Sequence, residues 1–260
     1  MWVKNNWLDK DFVELEKYLF FLKDAKYRDF HSKLVPGVDD VLPIIGVRLP
    51  ILRKIAGEIA KGNGESFLRG ISGDYYEKVM LKAIVIGNLR SDFKKILGFI
   101  EDFIPQINNW AICDSFVSGL TVVKKNREEF YTFLSEYLHS EDEYKVRFAV
   151  ISIMDYYTDS QYISEILEIY DSISHNGYYV KMAVAWGLSV AYVKEKEKTM
   201  AYLKNNNLKN YLDSYYKDNI SNPKISQSLK EDMQHLYNSD SVLSKGQVLT
   251  VLSIIKQYFS

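Results

Sequence analysis

Tyr144-Lys145-Val146-Arg147-Phe148-Ala149-Val150 aligns without gaps on Tyr178-Tyr179-Val180-Lys181-Met182-Ala183-Val184. A fainter copy starts at Tyr76-Glu77-Lys78-Val79. The offset of the two clear copies is about 34 residues, the size of a two-helix repeat. Each carries a basic residue early in its helix, Arg147 or Lys181, then a small Ala that permits close helix packing. Stacked helix pairs of this size build a right-handed superhelix, or solenoid, whose concave binding face is made by every second helix. The expected fold is therefore all-α, with Arg147 and Lys181 projecting in register along one surface.

The chain outside the repeat agrees with a helical reading. Helical apolar spacing recurs near Tyr75 to Leu89, Phe93 to Phe103, Trp110 to Val123, Glu128 to Leu138, Tyr144 to Tyr157, Tyr162 to Ile173 and Tyr178 to Val193. Shorter stretches follow at Lys198 to Leu203 and Leu208 to Tyr216, then at Lys224 to Leu236 and Val248 to Phe259. Residues 9 to 34 give an amphipathic pattern through Phe12, Leu15, Tyr18, Leu19 and Leu22. Val35 to Asp40 is punctuation, and Pro50 suits the first turn of a helix, where a missing N–H costs little. Arg48 then lies just before a helix start, with Arg53 and Lys54 inside it. No alternating Val/Thr-rich run stands between turn signals, so no sheet is expected. The organisation read from these patterns is one repeat domain over residues 1 to 235 and a C-terminal helical extension over 236 to 260.

Composition narrows the chemistry. Hydrophobic residues make up 47% and charged residues 26%, with only five Pro, which suits a folded chain rather than disorder. Cys113 is the sole cysteine, so neither an intrachain disulfide nor a Cys-based metal cluster can form. His31, His139, His175 and His235 lack metal-ligand spacing, so no metal or other cofactor is expected. No apolar run reaches spanning length and the N-terminus lacks an apolar core, so no membrane partner and a cytoplasmic location are expected. The net charge of −1 gives no global reason to bind nucleic acid; any such surface must come from segregated charge.

The chemistry is concentrated in Asn108-Asn109-Trp110-Ala111-Ile112-Cys113-Asp114-Ser115-Phe116. On a helix, Trp110 and Asp114 fall at i and i+4, with indole and carboxylate on one face. A carboxylate avoids apolar surroundings unless it is paired or functional, and this helix also carries Ile112, Phe116, Val117 and Leu120. A second Trp-bearing segment runs from Tyr178 to Trp186, and the sequence reading has the two segments meeting at one site.

These residues resemble the DNA alkylation repair (AlkD-like) family of HEAT-like-repeat proteins. The resemblance rests on Gly46-Val47-Arg48-x-Pro50-x-Leu52-Arg53, Asn109-Trp110-Ala111-x-Cys113-Asp114, Lys145-Val146-Arg147 and Tyr178-Tyr179-Val180-Lys181-Met182-Ala183-x-Ala185-Trp186, in order across most of residues 10 to 235. It implies a monomer gripping duplex DNA and a glycosylase releasing purines alkylated at N3 or N7. It also implies Asp114, Trp110 and Trp186 as catalytic residues and Arg147 as a DNA contact, with Lys181, Arg48, Arg53 and Lys145 expected beside it. The chain departs from the pattern at Ser189, where active members carry an arginine, and in Asn219 to Ser228, where only Lys224 is charged.

Plainer readings compete. Trp110 and Trp186 would serve equally as core residues, and Asp114 as a surface charge paired with a lysine. Arg147 and Lys181 could make salt bridges between repeats, with Asp155 or Glu143. On function, the alternatives to a glycosylase are a non-catalytic binder of branched or damaged DNA and a protein-binding scaffold.

Overall fold

A computed structural model of the chain describes residues 1 to 35 and 42 to 203. The chain divides into two compact units, one of Met1–Asn126 and one from Arg127 onward. All regular structure among the described residues is helical. The first unit contains α1 (Asp9–Phe21), α2 (Ala25–Leu34), α3 (Leu49–Lys61), α4 (Gly64–Gly70), α5 (Tyr76–Asn88), α6 (Phe93–Phe103) and α7 (Trp110–Gly119). The second contains α8 (Arg127–Leu134), α9 (Glu143–Tyr157), α10 (Ile163–Ser172), α11 (Tyr178–Lys194) and α12 (Lys196–Leu203). No helix among the described residues is long and apolar enough to cross a membrane.

Within each unit, every second helix packs on the next. In the first unit α3 lies against α5 and α5 against α7; in the second, α9 lies against α11. Close approach is built into the sequence at Gly87 of α5, where a Cβ would fall 2.5 Å from the carbonyl oxygen of Gly119 in α7. The first core includes Leu52, Ile59, Leu81 and Phe116, and the second Phe148, Ile166 and Val184, all with essentially no exposure. Burying side chains of this size contributes about 1.5–3 kcal/mol each before the entropy of ordering them is counted.

Local chemistry sets the helix ends. Pro50 sits in the first turn of α3, as the sequence suggests. The stretch from 9 to 34 is two helices, because Asp24 interrupts it: its carboxylate accepts from Tyr27 N at 3.0 Å and caps α2. The segment beginning at Trp110 stops at Gly119 and continues as a 3₁₀ turn, Thr121–Lys125. The one beginning near Glu128 stops at Leu134. The short α4, capped by Asn63, is missed by apolar spacing alone. The expected helices Leu208 to Tyr216, Lys224 to Leu236 and Val248 to Phe259 lie outside the described residues, as does the expected domain boundary after 235.

The loop ahead of α3 is fixed from inside. Glu77, at 0% exposure in α5, accepts three successive backbone N–H groups: Ile45 on Oε2 at 2.9 Å, and Gly46 and Val47 on Oε1 at 2.7 and 3.0 Å. Convergence of consecutive N–H groups on one anion requires an unusual backbone, and Gly46 supplies it with φ +102°. A side chain there would also strike the carbonyl oxygen of Asp24 at 2.6 Å. Gly46 O in turn accepts from Asp24 N at 3.0 Å, so the same loop holds the start of α2. Burial pushes the Glu77 carboxyl above its usual range, against the pull of the three donors.

Candidate functional site

Helix α7 is started by Asn109, whose buried side-chain oxygen accepts from Ile112 N at 2.9 Å. With the helix begun there, Ala111, Ile112, Cys113, Phe116 and Val117 are buried. Trp110 and Asp114 are only half-buried, and Ser118, the next position along the same stripe, is exposed. The indole is not loose: Nε1 donates to the carbonyl oxygen of Leu34, at the end of α2, at 3.2 Å. The Trp110 indole and the Asp114 side chain thus share a half-buried side of α7.

Helix α2 carries a further group of rings and charges, running back from its end toward its start. His31 stacks on Tyr27 with centroids 5.4 Å apart and meets the Tyr76 ring edge-on at 5.1 Å. The Arg48 guanidinium lies over the other ring in this series, 4.8 Å from the Tyr27 centroid, and pairs with Asp24 at 2.8 Å. The Tyr27 N–H and then the Arg48 charge hold the Asp24 carboxyl below its ordinary range. Burial pushes the His31 imidazole down, so it is neutral at neutral pH, and pushes the Tyr27 phenol up. Tyr27 and His31 lie at i and i+4 of α2, a spacing visible in the sequence but not singled out there.

In the second unit, α11 is apolar nearly all round: Val180 to Ala185 and Gly187 to Ser189 are buried. Trp186 is the half-buried exception in this run. Ser189 is turned inward, its hydroxyl donating to the Trp186 carbonyl at 2.6 Å.

The expected basic surface needs correcting. Arg48 and Arg53 are exposed and Lys145 is half-buried, but Arg147 and Lys181 are buried, at 1% and 6% exposure. For Arg147 the reason is the packing of α9 on α11. Arg147 points at the first turn of α11 and its Nη1 donates to the carbonyl oxygen of Tyr179 at 2.8 Å. Periodicity identified the helix face but not the helix that would cover it. Glu143, one turn before Arg147, accepts from Tyr179 N at 2.5 Å. Among the described residues, no group of three or more His, Cys, Asp or Glu side chains is placed to hold a metal ion.

The chain belongs to the DNA alkylation repair enzyme family, whose model matches residues 21–231. That span takes in α2 through α12, and with them every residue of the expected site. No curated protein matches the chain. Family membership makes it a DNA repair protein, and DNA its partner.

Proposed function

We propose that the protein is a DNA glycosylase that excises purines alkylated at N3 or N7 from duplex DNA, its helix pairs being HEAT-like repeats. The observation that carries this reading is on α7: an indole fixed by a backbone carbonyl and a carboxylate one turn on, together on the half-buried face of an otherwise buried helix. A base alkylated at a ring nitrogen is cationic and already a good leaving group, so no strong general acid is required. What the reaction needs is stabilisation of the positive charge that grows on the deoxyribose as the glycosidic bond breaks. Asp114 supplies that charge stabilisation and orients the attacking water. Trp110 offers the face of its ring to the cationic base or sugar, and Trp186 is assigned a second aromatic contact with the same DNA. Exposed Arg48 and Arg53 are assigned to the phosphate backbone.

The test is release of 7-methylguanine from methylated duplex DNA under single-turnover conditions. Asp114→Asn keeps the shape and removes the charge, and the rate should fall on the order of 100-fold. Release by Asp114→Asn at the wild-type rate would falsify the mechanism. The burial of Ser189, where an exposed arginine would reach DNA, favours a second reading, a non-catalytic binder of damaged or branched DNA. Retention of methylated duplex without any base release selects that reading.

A further inference from the structure

We propose that Glu143 and Arg147 are a positioning pair that clamps one residue of α11, Tyr179, through the two peptide groups that flank it, and thereby sets the aim of Trp186. The proposal rests on the glycosylase reading above for the role of Trp186, and it gives Arg147 a different task from phosphate contact. Glu143 and Arg147 stand at i and i+4 on α9, so both side chains leave one face. They reach the same residue from opposite ends of its polarity. Glu143 Oε1 takes the N–H of Tyr179 at 2.5 Å, and Arg147 Nη1 gives to the carbonyl of Tyr179 at 2.8 Å. In the first turn of a helix the N–H groups have no intrahelical partner, so the Glu143 bond satisfies a donor that would otherwise be orphaned.

The chain leaves room for the clamp. A Cβ on Gly177 would fall 2.5 Å from Glu143 Oε1 and 2.7 Å from its carboxyl carbon. The backbone of Gly177 is ordinary, at φ −59°, so glycine is there for space rather than conformation. Tyr179 and Trp186 are seven residues apart, two turns along one face of α11. Fixing the backbone of the first therefore fixes the rotation and height of the second.

The pair is oppositely charged, and that makes the proposal separable from DNA contact. If Arg147 touched phosphate, Arg147→Met would flatten the salt dependence of duplex binding by about one unit of slope. Glu143→Met, by removing a negative charge, would then tighten binding. A clamp gives neither result. Arg147→Met, Glu143→Met and Gly177→Ala should all slow single-turnover release of 7-methylguanine at saturating protein, on the order of 10-fold. The slope of log Kd against log salt, measured on unmodified duplex, should stay at the wild-type value. The Glu143→Met/Arg147→Met double variant should be no slower than the worse single one, because the two act on one residue. Gly177→Ala alters no charge and keeps both side chains, which guards against variants that merely fail to fold.

Hydrogen exchange of residues 178 to 186 supplies a readout independent of activity, with Tyr179 losing protection in all three variants. A flattened salt slope in Arg147→Met, or wild-type release by Glu143→Met, overturns the proposal. If wild-type protein releases no base, the glycosylase reading fails first. Exchange then still decides the clamp: unchanged protection at Tyr179 and Trp186 in Gly177→Ala ends it.

Discussion

Replacing Glu77 tests how the first unit holds its loop. Glu77→Ala removes the acceptor for three backbone N–H groups that sit beneath Ile45, Gly46 and Val47. A buried donor left without a partner costs about 1–3 kcal/mol. Three of them, offset by relief of burying a carboxylate, place the net loss at about 3–5 kcal/mol, a large share of a typical domain's stability. Glu77→Gln is the informative comparison. Its single oxygen can still serve Gly46 and Val47, which share Oε1, but its amide NH₂ then faces the N–H of Ile45. Two donors in opposition cost about 2 kcal/mol, roughly half the alanine effect. Urea unfolding read at constant m-value measures both. The loss should also travel along the loop, since Gly46 O holds Asp24 N at the start of α2 and the end of α2 holds the Trp110 indole. An alanine variant within 1 kcal/mol of wild type, or Gln and Ala variants of equal stability, would refute the reasoning.

Two other outcomes follow from single contacts. Asn109→Ala removes the cap of α7 and leaves the buried Ile112 N–H unpaired, so the urea midpoint should drop by the equivalent of about 1–2 kcal/mol. Glu65 is held down to about 2, first by Lys95, then by Ser91 and Arg69. Its folded pKa lies below its unfolded value, so the stability it contributes is present above roughly pH 4.5 and is lost as pH falls from there to about 2. After discounting for solvent screening this amounts to about 1 kcal/mol. Lys95→Met should therefore destabilise at pH 7 but much less at pH 3; an equal loss at both values would rule out the charge origin.

Much of the helix layout can be read from the chain because its signals are local. Asn109 before an apolar run, Pro50 after Arg48 and the repeat at Tyr144 and Tyr178 each act within a turn or two of where they stand. Asp24 was an equally local signal, yet the apolar spacing ran on past it and hid the break between α1 and α2. What could not be read was long-range. The carboxylate of Glu77 serves N–H groups about thirty positions away, and nothing in Tyr76-Glu77-Lys78 names that loop. Arg147 has the look of a surface cation in sequence, and the packing of α11 on α9 draws it to the carbonyl of Tyr179. The half-exposure of Trp186 on a helix apolar nearly all round is likewise decided by neighbours and not by its own segment.

The inward turn of Arg147 and Lys181 bears on how such a protein would choose its substrate. A strongly basic face holds all duplex DNA alike, since phosphate contacts carry no information about the base. With those two cations buried, the described residues assigned to the backbone reduce to Arg48 and Arg53, with Lys145 half-buried, and Arg48 is already paired with Asp24. A lesion carrying its own positive charge is a different ligand, because the Trp110 ring face and the Asp114 carboxylate attract a cation and gain little from a neutral base. On the proposed reading, selectivity comes from the charge of the damage, and the same attraction strengthens as that charge moves onto the sugar during bond cleavage. Recognition and catalysis then draw on one electrostatic interaction, which is why removing the Asp114 charge should slow base release far more than it weakens binding to intact DNA.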